Sequence, residues 1–390
     1  MTTNNIPQGY KDSPLGIIPQ EWEVKRLEDV VDPNRKISYG IVQTGEPSPN
    51  GIPCIRVIDL VDGKIDKMRL ITTSEEINRS YRKTIVKSGD IVMALRGKVG
   101  ESVLITDELL GCNLTRGVAL ISNYQNVYSQ FLIQQISSPL MKVEFEKKMN
   151  GSALQEIPIN VLRSIEIAIP PLPEQQKIAE ILGCWDEAIE RQTKMVDLLT
   201  TRKRALMQRL LKPKEHWEKV KLGEICKINK GKALSSKDLK DGDYPVIAGG
   251  QSSPYTHSEF TDENVITISA SGAYAGYIAY HNYRIWASDC SVIKEIQNKS
   301  NINFLFHFLT HIQQFIYSLQ SGGAQPHIFP KDIAKLKYNF PPLPEQKIIA
   351  KKLSTADAEI DLARRCLELL RTQKKGLMQQ LSTGKKRVKI

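Results

Sequence analysis

One long segment of this chain occurs twice, and this repeat constrains the fold more than any other feature of the sequence. The segment begins with PPLPEQQKIAEIL at residue 170 and again with PPLPEQKIIAKKL at residue 341. Pro173 and Pro344 suit the first position of a helix, where no backbone N–H is needed. The glutamate that follows each proline faces the positive end of the helix dipole. The repeat therefore predicts two long helices, at residues 170–211 and 341–382.

Apolar residues recur along both helices in alternating steps of four and three, which is the pattern of a coiled-coil seam. A lysine interrupts the seam at matching places, Lys203 and Lys374. Two copies related by a pseudo-twofold axis would pair their helices antiparallel. A long heptad pattern is also typical of a plain dimerisation helix. The role of these helices therefore has to be inferred from the segments that lie between them. The predicted seam residues are Ile178, Leu182, Trp185, Ile189, Val196, Leu199, Leu206, Leu210, Ile349, Leu353, Ile360, Leu367, Leu370, Leu377 and Leu381.

Each helix is preceded by a globular-looking segment of similar length, so the chain reads domain, helix, domain, helix. Runs rich in Val and Ile between residues 85 and 121 are separated by turn residues and predict strands. VITISASGAYAGYIAY and SVIKEI are their counterparts in the second domain. A helix rich in Phe, Leu and Ile is expected after the strands, at 127–149 and 302–319. The predicted fold is mixed, α+β, with two globular domains separated by two helices that form an antiparallel coiled coil.

The domain order divides the chain into six segments. Trp22 and Trp217 stand near the start of each globular domain, and we expect each to pack its domain onto a helix. The residues before Trp22 contain Pro and Gly and predict a loosely attached arm. The segments are an N-terminal arm (1–20), a first globular domain (21–169), a first helix (170–211), a second globular domain (212–340), a second helix (341–382) and a basic C-terminal tail (383–390).

An excess of basic residues indicates a polyanionic partner. Lys and Arg number 54 against 43 Asp and Glu, for a net charge of +11. Nucleic acid is favoured over a membrane surface because no basic amphipathic anchor stands out, and no segment is long and apolar enough to span a bilayer. The six cysteines form no CxxC pair and the N-terminus has no apolar signal region, which fits a reducing cytoplasm.

Motifs for catalysis are not evident. Residues 40–45 have the glycine spacing of a phosphate loop but lack the lysine that should follow. Residues 339–342, Asn-Phe-Pro-Pro, hold the residues of an amine methyltransferase motif in the wrong order, at a helix start. His307 and His311 are four apart on one helix, yet no third zinc ligand accompanies them. No nucleophile elbow is present. The sequence favours a binding protein without a catalytic or metal site.

The doubled PPLPEQ helix, which ends in RALMQ at 204–208 and KGLMQ at 375–379, resembles the specificity subunit of bacterial type I restriction-modification enzymes. The resemblance covers nearly the whole chain. It implies that the globular domains are target-recognition domains for double-stranded DNA, each reading one half-site of a bipartite target. The segments PNRKISYGIVQTGEPSPNGIPCIRVIDL and KINKGKALSSKDLKDGDYPVIAGGQSSPYT differ strongly, so the two half-sites should differ as well.

The same resemblance implies partner subunits. Two modification subunits would bring S-adenosylmethionine and the adenine methyltransferase site. Up to two restriction subunits would bring ATP-driven translocation and nuclease activity, with Mg²⁺. In that arrangement this chain binds no cofactor itself, does not contact a membrane, and scaffolds its partners.

DNA recognition requires cations that hold phosphates and hydrogen-bonding side chains that reach base edges. We selected residues in or beside Gly/Pro-rich turns rather than on apolar stripes. In the first domain the candidates are Arg35, Lys36, Tyr39, Arg56, Arg96, Lys98 and Arg116. In the second domain they are Lys230, Lys232, Gln251, Tyr255, Ser269, Ser271, Tyr274 and Arg284.

Two alternatives from other classes stay open at this point. One is a stand-alone DNA methyltransferase or nuclease component whose motif escapes recognition. The other is a coiled-coil scaffold with no role in DNA binding. The activity of the purified chain, with and without modification subunits, separates the three hypotheses.

Overall fold

The chain divides into two compact units in a computed structural model. Unit 1 comprises Met1–Arg191 and Leu367–Ile390, and unit 2 comprises Gln192–Cys366. The division falls inside both long helices rather than at their ends, because each globular domain packs onto one part of each helix. The structure describes residues 6–122, 124–150, 155–235, 237–250, 254–322 and 325–390.

Unit 1 is built from short strands followed by helices. Its strands are β1 (Tyr10–Lys11), β2 (Ile18–Pro19), β3 (Glu23–Arg26), β4 (Ser38–Tyr39), β5 (Ile52–Ile55), β6 (Leu60–Val61), β7 (Lys64–Ile65), β8 (Ile71–Thr73), β9 (Ile91–Ala94), β10 (Ser102–Leu104), β11 (Asn113–Leu114), β12 (Val118–Ile121) and β13 (Glu166–Ile169). Its α-helices are α1 (Glu75–Ser80), α2 (Ser129–Ile136), α3 (Pro139–Lys148), α4 (Ile159–Arg163) and the first part of α5 (Leu172–Leu210). Short 3-10 helices cover Leu27–Val30, Val57–Asp59, Lys67–Arg69, Arg82–Thr84 and Asp107–Leu109.

Unit 2 follows the same plan with fewer strands. Its strands are β14 (Glu218–Lys221), β15 (Cys226–Lys230), β16 (Tyr244–Ile247), β17 (Thr256–His257), β18 (Val265–Ser269), β19 (Ile278–His281), β20 (Trp286–Ala287), β21 (Cys290–Glu295) and β22 (Lys337–Phe340). Its helices are α6 (Leu222–Ile225), α7 (Ile302–His311), α8 (Gln313–Ser318), α9 (Pro330–Ala334) and the first part of α10 (Leu343–Ser382).

The sheets of the two units share one topology. Unit 1 has a four-stranded antiparallel sheet in the order β10-β9-β12-β4, and unit 2 has the order β19-β18-β21-β15. A three-stranded sheet accompanies each, β11-β5-β8 and β20-β16-β17, and in both the first two strands run parallel while the last pair is antiparallel. The expectation of two α+β domains is thereby confirmed.

The central strand β9 shows why the unbroken apolar run IVMA forms a strand. Ile91 and Met93 point into one hydrophobic cluster, together with Trp22. Val92 and Ala94 point into a second cluster, together with Leu114. Because side chains of a strand alternate between its faces, burial on both faces requires apolar residues at every position.

The glutamate and glutamine of the first PPLPEQ motif fasten α5 to its domain. The Trp22 indole donates to Glu174 Oε2 at 2.9 Å. The Gln175 side chain accepts from the Tyr128 backbone N–H at 2.8 Å and donates to the Pro170 carbonyl at 2.9 Å. The motif therefore clamps the start of the domain and the loop before α2 to the helix start.

The second motif makes the same contacts in unit 2. Trp217 donates to Glu345 Oε2 at 3.2 Å. Gln346 accepts from the Asn301 backbone N–H at 3.0 Å and donates to the Pro341 carbonyl at 2.9 Å. The prediction that each tryptophan packs its domain onto a helix is confirmed.

The residues before Trp22 correct the prediction of a loose arm over 1–20, as far as residues 6–20 show. Ile18 is 2% exposed and belongs to the main cluster of unit 1. The Tyr10 hydroxyl donates to the Gly384 carbonyl at 3.0 Å. Sequence composition could not reveal this docking, because the partner lies in the C-terminal tail.

The basic C-terminal tail is docked as well. The Arg387 guanidinium donates to Glu174 at 2.7 Å and to Glu21 at 2.9 Å, and these bonds raise its pKa. Glu174 is fully buried, so the tail supplies the cation that a buried carboxylate needs.

The long helices pair antiparallel within each unit. In unit 2 Gln192 donates to the Ala363 carbonyl at 2.9 Å, while Met207, later in α5, packs with Ile349 and Leu353, near the start of α10. In unit 1 the early α5 residues Ile178 and Leu182 share a cluster with Met378 and Leu381 of α10. Every predicted seam residue is buried or half-buried.

The two seam lysines have equivalent partners. Lys374 Nζ lies 2.6 Å from Asp186 in unit 1, and Lys203 pairs with Asp357 in unit 2. Each charge that interrupts the apolar pattern is thus neutralised by the facing helix of its own unit.

The helices predicted at 127–149 and 302–319 are each divided in two. In unit 1 the Ser138 hydroxyl caps α3 by accepting from the Met141 N–H, and Pro139 occupies the first helical position. Proline cannot continue a preceding helix without loss of a hydrogen bond, so α2 ends there. In unit 2 the division falls at Ile312. Among the helices of the described part, none has the length and apolar character needed to cross a membrane.

Candidate nucleic-acid interface

Unit 1 carries an open groove of about 430 Å³ that contains three of the predicted DNA contacts. Arg56 follows β5, Arg96 follows β9 and Arg116 follows β11. The groove is therefore built where three strands of two adjoining sheets end. Its apolar walls include Val42, 45% exposed, and Ile58, 71% exposed.

Arg96 and Arg116 present unneutralised charge. Both side chains are exposed, and within the described ranges neither guanidinium has an ion-pair or hydrogen-bond partner. Their backbones, in contrast, are held firmly. The Arg116 N–H donates to the Ile41 carbonyl at 2.8 Å, and Arg96 forms an isolated β-bridge with Glu156.

Gly117 provides the space in which the Arg96 side chain lies. A Cβ atom at Gly117 would stand 2.9 Å from Arg96 Nε and 2.8 Å from Val57 Cγ2. The Arg96 guanidinium therefore rests against the backbone next to Arg116, and both cations face one groove.

Arg56 is a wall of the groove rather than a free cation. Its guanidinium donates to both oxygens of Asp59, at 2.9 and 3.0 Å, and to the Arg69 carbonyl at 3.1 Å. Hydrogen bonding to Asp59 raises the pKa of Arg56. The bidentate pair leaves few donors for a ligand.

Arg35 corrects the prediction of a DNA contact. Its two terminal nitrogens donate to Asp90 at 2.7 and 3.0 Å, and one also donates to the Ile85 carbonyl at 2.8 Å. The Arg35 side chain is 13% exposed and that of Asp90 only 1%. Arg35 thus neutralises a buried carboxylate and belongs to the structural core.

The remaining candidates of unit 1 lie outside the groove walls. Lys98 is exposed in the turn between β9 and β10, two residues beyond Arg96. Tyr39 is 44% exposed in the edge strand β4, and Lys36 is exposed just before that strand. These positions suit phosphate contacts but are not brought together with the arginines.

In unit 2 the matching edge, where β18 and its neighbouring strands end, carries different side chains. Ser271 lies two residues after β18, as Arg96 lies two residues after β9. Ser271 forms a β-bridge with His327 and Arg96 forms one with Glu156, in both cases with the loop that follows the helices. The Ser271 hydroxyl donates to Asp289. Gly249 approaches closely, since a Cβ there would stand 2.8 Å from the Ser271 carbonyl oxygen. This edge carries a hydroxyl–carboxylate pair where unit 1 carries arginines.

A polar cavity of about 300 Å³ lies beside this edge. Ser269, a predicted contact, lines it but is 4% exposed. His281 also lines it and is hydrogen-bonded through Nε2 to the Thr267 hydroxyl at 2.9 Å and through Nδ1 to the Tyr283 hydroxyl at 3.3 Å. Burial lowers the pKa of His281 to about 4, so the cavity is uncharged at neutral pH.

Two basic candidates of unit 2 lie over aromatic rings. Lys232 Nζ stands 4.9 Å from the Trp286 ring centroid, and Arg284 stands 4.7 Å from that of Phe260. Arg284 is also paired with Glu263 at 3.2 Å. These contacts orient the cations without burying them.

The other candidates of unit 2 are scattered. Lys230 is exposed at the end of β15, and Tyr274 is 46% exposed in the turn between β18 and β19. Tyr255 is 56% exposed, and its backbone carbonyl accepts from the Val246 N–H at 2.9 Å. Gln251 lies outside the described residues.

Several interface residues were absent from the sequence predictions. The sequence gives no local signal for Asp289, Tyr283 and His281, because their places beside Ser271 and in the cavity depend on which strands lie next to them. Ile58 and Val42 were omitted because an isolated exposed apolar residue carries no signal in a single sequence.

Of the two histidines considered for zinc, His307 and His311, the buried His307 has a structural role. His307 Nε2 is hydrogen-bonded to the Ser354 hydroxyl at 3.1 Å, and Nδ1 lies 3.7 Å from Asp357. Burial lowers the pKa of His307 to about 4. No group of three metal-ligating side chains occurs in the portion of the chain that the structure describes.

Comparison with protein families gives a match over most of the chain. A family described as the type I restriction modification DNA specificity domain matches twice, at residues 19–196 and 214–371. The chain is 27% identical to the MjaX type I restriction enzyme specificity subunit of Methanocaldococcus jannaschii, over 98% of this chain and 97% of that protein. It is 29% identical to the EcoBI specificity subunit of Escherichia coli over 45% of this chain and 38% of that protein.

Solved structures share the fold. The S subunit of a type I restriction-modification system from M. genitalium has a TM-score of 0.62 at 19% identity and covers 98% of both chains. A chain from a structural study of complex assembly in the type I R-M system has a TM-score of 0.56 at 17% identity, covering 94% of this chain and 99% of that one. The topology of two α+β units on paired long helices is therefore common to these proteins.

Proposed function

The chain belongs to the specificity subunits of type I restriction-modification systems, and on that premise we propose that its two units read the two halves of one split DNA target. The observation that carries this proposal is the pair of matching edges. Both units end the same strands at the same place, yet unit 1 presents Arg96 and Arg116 there and unit 2 presents Ser271 and Asp289. Shared backbone with different side chains is what independent readers of two sequences require.

The chain acts without catalysis of its own in this proposal. Two modification subunits supply S-adenosylmethionine and the methyltransferase site, and up to two restriction subunits supply ATP- and Mg²⁺-dependent translocation and cleavage. The lack of a recognisable catalytic motif in the sequence supports this division of labour, as does the family to which the chain belongs. All six cysteines are free, which fits assembly of the complex in a reducing cytoplasm.

Reconstitution tests the proposal. The purified chain alone should neither methylate nor cleave DNA, and addition of the modification subunits should produce methylation at one split sequence. Sequencing of the methylated sites reads out the target directly. Activity of the chain alone would favour a stand-alone enzyme. Methylation without sequence preference in the complete complex would contradict the proposal and favour a scaffold.

A further inference from the structure

Arg96 and Arg116 form a built recognition element rather than a generally basic surface. Each follows a strand, each backbone is tied to a neighbouring segment by hydrogen bonds or a β-bridge, and Gly117 leaves the space that positions the Arg96 guanidinium. Both cations keep their donors free of protein acceptors in the described part of the chain. We propose that this pair reads guanine in the half-site recognised by unit 1, an inference that rests on the proposed function.

The chemistry of the groove favours a base edge over a phosphate. A guanidinium donates two parallel hydrogen bonds, and the major-groove edge of guanine offers two adjacent acceptors, O6 and N7. The groove also exposes Ile58 and Val42 beside the arginines. Apolar side chains gain nothing from a charged phosphate, whereas they pack against the methyl group of thymine.

The neighbouring Arg56 sharpens the assignment. Asp59 and the Arg69 carbonyl accept hydrogen bonds from its Nε and Nη2, and the Asp59 carboxylate neutralises its charge, so its main role is to shape the groove. Lys98, exposed nearby and outside the groove walls, is the side chain suited to a backbone phosphate.

Unit 2 does not repeat the element. Its equivalent edge holds Ser271 hydrogen-bonded to Asp289, and a carboxylate repels the acceptor edge of guanine. The guanine contact of this arginine pair therefore belongs to the half-site recognised by unit 1.

Lysine substitutions test this inference, because Arg96→Lys and Arg116→Lys keep the charge but remove the bidentate fork. The variants are assembled with the modification subunits, and bound sequences are selected from a randomised DNA pool. At least one variant should lose discrimination for a G·C pair at a single position of one half-site, by roughly 5- to 100-fold. The other half-site should stay unchanged. Lys98→Ala is the matched control and should weaken binding evenly without a change in the preferred sequence.

The outcomes separate this inference from the proposed function. A wild-type complex without sequence preference would defeat the proposed function itself. A wild-type complex with a split target whose preferred sequence survives both lysine substitutions would overturn only the guanine assignment. Uniform loss of affinity for all sequences in Arg96→Ala and Arg116→Ala, with the preferred sequence intact, would identify phosphate contacts and would also overturn it.

Discussion

The turns that follow β9 in unit 1 and β18 in unit 2, residues 95–101 and 270–277, have the same place in the sheet but different side chains. Gly100 and Gly276 occupy matching positions with φ of 86° and 93°. A Cβ at either would stand 2.8 Å from a core side chain, Phe145 in unit 1 and Ile328 in unit 2. The turn geometry therefore demands glycine twice, while the residues displayed by the turn are free to differ. Packing therefore constrains the backbone of these turns at the glycines, whereas it leaves the exposed side chains free to differ.

The clamps at the helix starts differ in the same way. Glu174 is fully buried and takes its cation from Arg387 of the tail. Glu345 has a side chain that is 19% exposed, and its partners Lys214 and His216 come from the linker after α5. In both units a glutamate accepts a hydrogen bond from a tryptophan and is paired with basic residues, but these basic residues come from different parts of the chain.

Exchange of one unit's domain is the most severe test of this comparison. Replacement of residues 215–340 by the matching segment of a relative should replace one half of the target completely and leave the other half unchanged. The physical reason is that each core and each recognition edge is formed within its own unit. Sequencing of methylated sites measures the result, and a simultaneous change of both halves would contradict independent reading.

A charged residue introduced into the helix seam should destabilise only the unit in which it lies. Leu182 in unit 1 and Leu353 in unit 2 occupy equivalent repeat positions and are both 0% exposed. Leu182→Asp and Leu353→Asp should each cost about 4 kcal/mol or more, because an unpaired carboxylate is buried. Limited proteolysis with fragment identification shows which unit opens. Leu362→Asp is a control, since Leu362 is 69% exposed on α10; destabilisation of that variant would contradict the burial pattern.

Acid should weaken unit 2 but not unit 1 between about pH 6.5 and pH 5. All six histidines lie in unit 2, and burial lowers the pKa values of His281 and His307 to about 4. The unfolded chain binds protons near pH 6.5 while the folded unit does not, so stability falls as pH falls. The loss should be on the order of 2 kcal/mol per histidine by pH 5. Urea unfolding followed by hydrogen exchange measures each unit.

A substitution taken from unit 1 supplies the control for the acid effect. Gln134, at the position in α2 that matches His307 in α7, donates to Asp186 at 2.7 Å. His307→Gln should therefore remove about half of the pH dependence while preserving the fold. A pH dependence that persists unchanged in this variant would assign it to other groups.

Neutralisation of Glu174 or Glu345, the glutamates at the two helix starts, should change the free energy of unfolding least among these variants. The change should differ between the two units. Glu174→Gln should cost about 1–3 kcal/mol because Arg387 loses a buried partner, whereas Glu345→Gln should cost about 0.5 kcal/mol because its basic partners are more than half exposed. Against the opposing effect of burial, hydrogen bonds from Lys214, His216 and Trp217 lower the pKa of Glu345 below 4.5. Its contribution is therefore lost only as pH falls through that lowered value. Equal costs in urea unfolding would contradict the difference in burial.

Local pattern determined the helices, their seam and the order of the segments. The steps of four and three place apolar residues on one face of a helix whatever the rest of the chain does. The glutamate of each PPLPEQ motif and the tryptophan near the start of each domain also recur in the sequence, whereas the hydrogen bond between them is seen only in the structure. The exchange of lysine for an apolar seam residue was visible in the same way, at Lys203 and Lys374.

Which basic residues are exposed and unpaired depends on the tertiary structure. Arg35 and Arg96 both stand near turns in the sequence, yet the Arg35 guanidinium pairs with Asp90, 55 residues away, whereas the Arg96 guanidinium pairs with no acidic side chain in the described structure. The docking of Tyr10 on Gly384 joins residues 374 positions apart. The periodicity of a sequence predicts which helix or strand a residue belongs to. Burial and charge pairing depend instead on which distant segment packs against that residue, and no local sequence pattern identifies the distant segment.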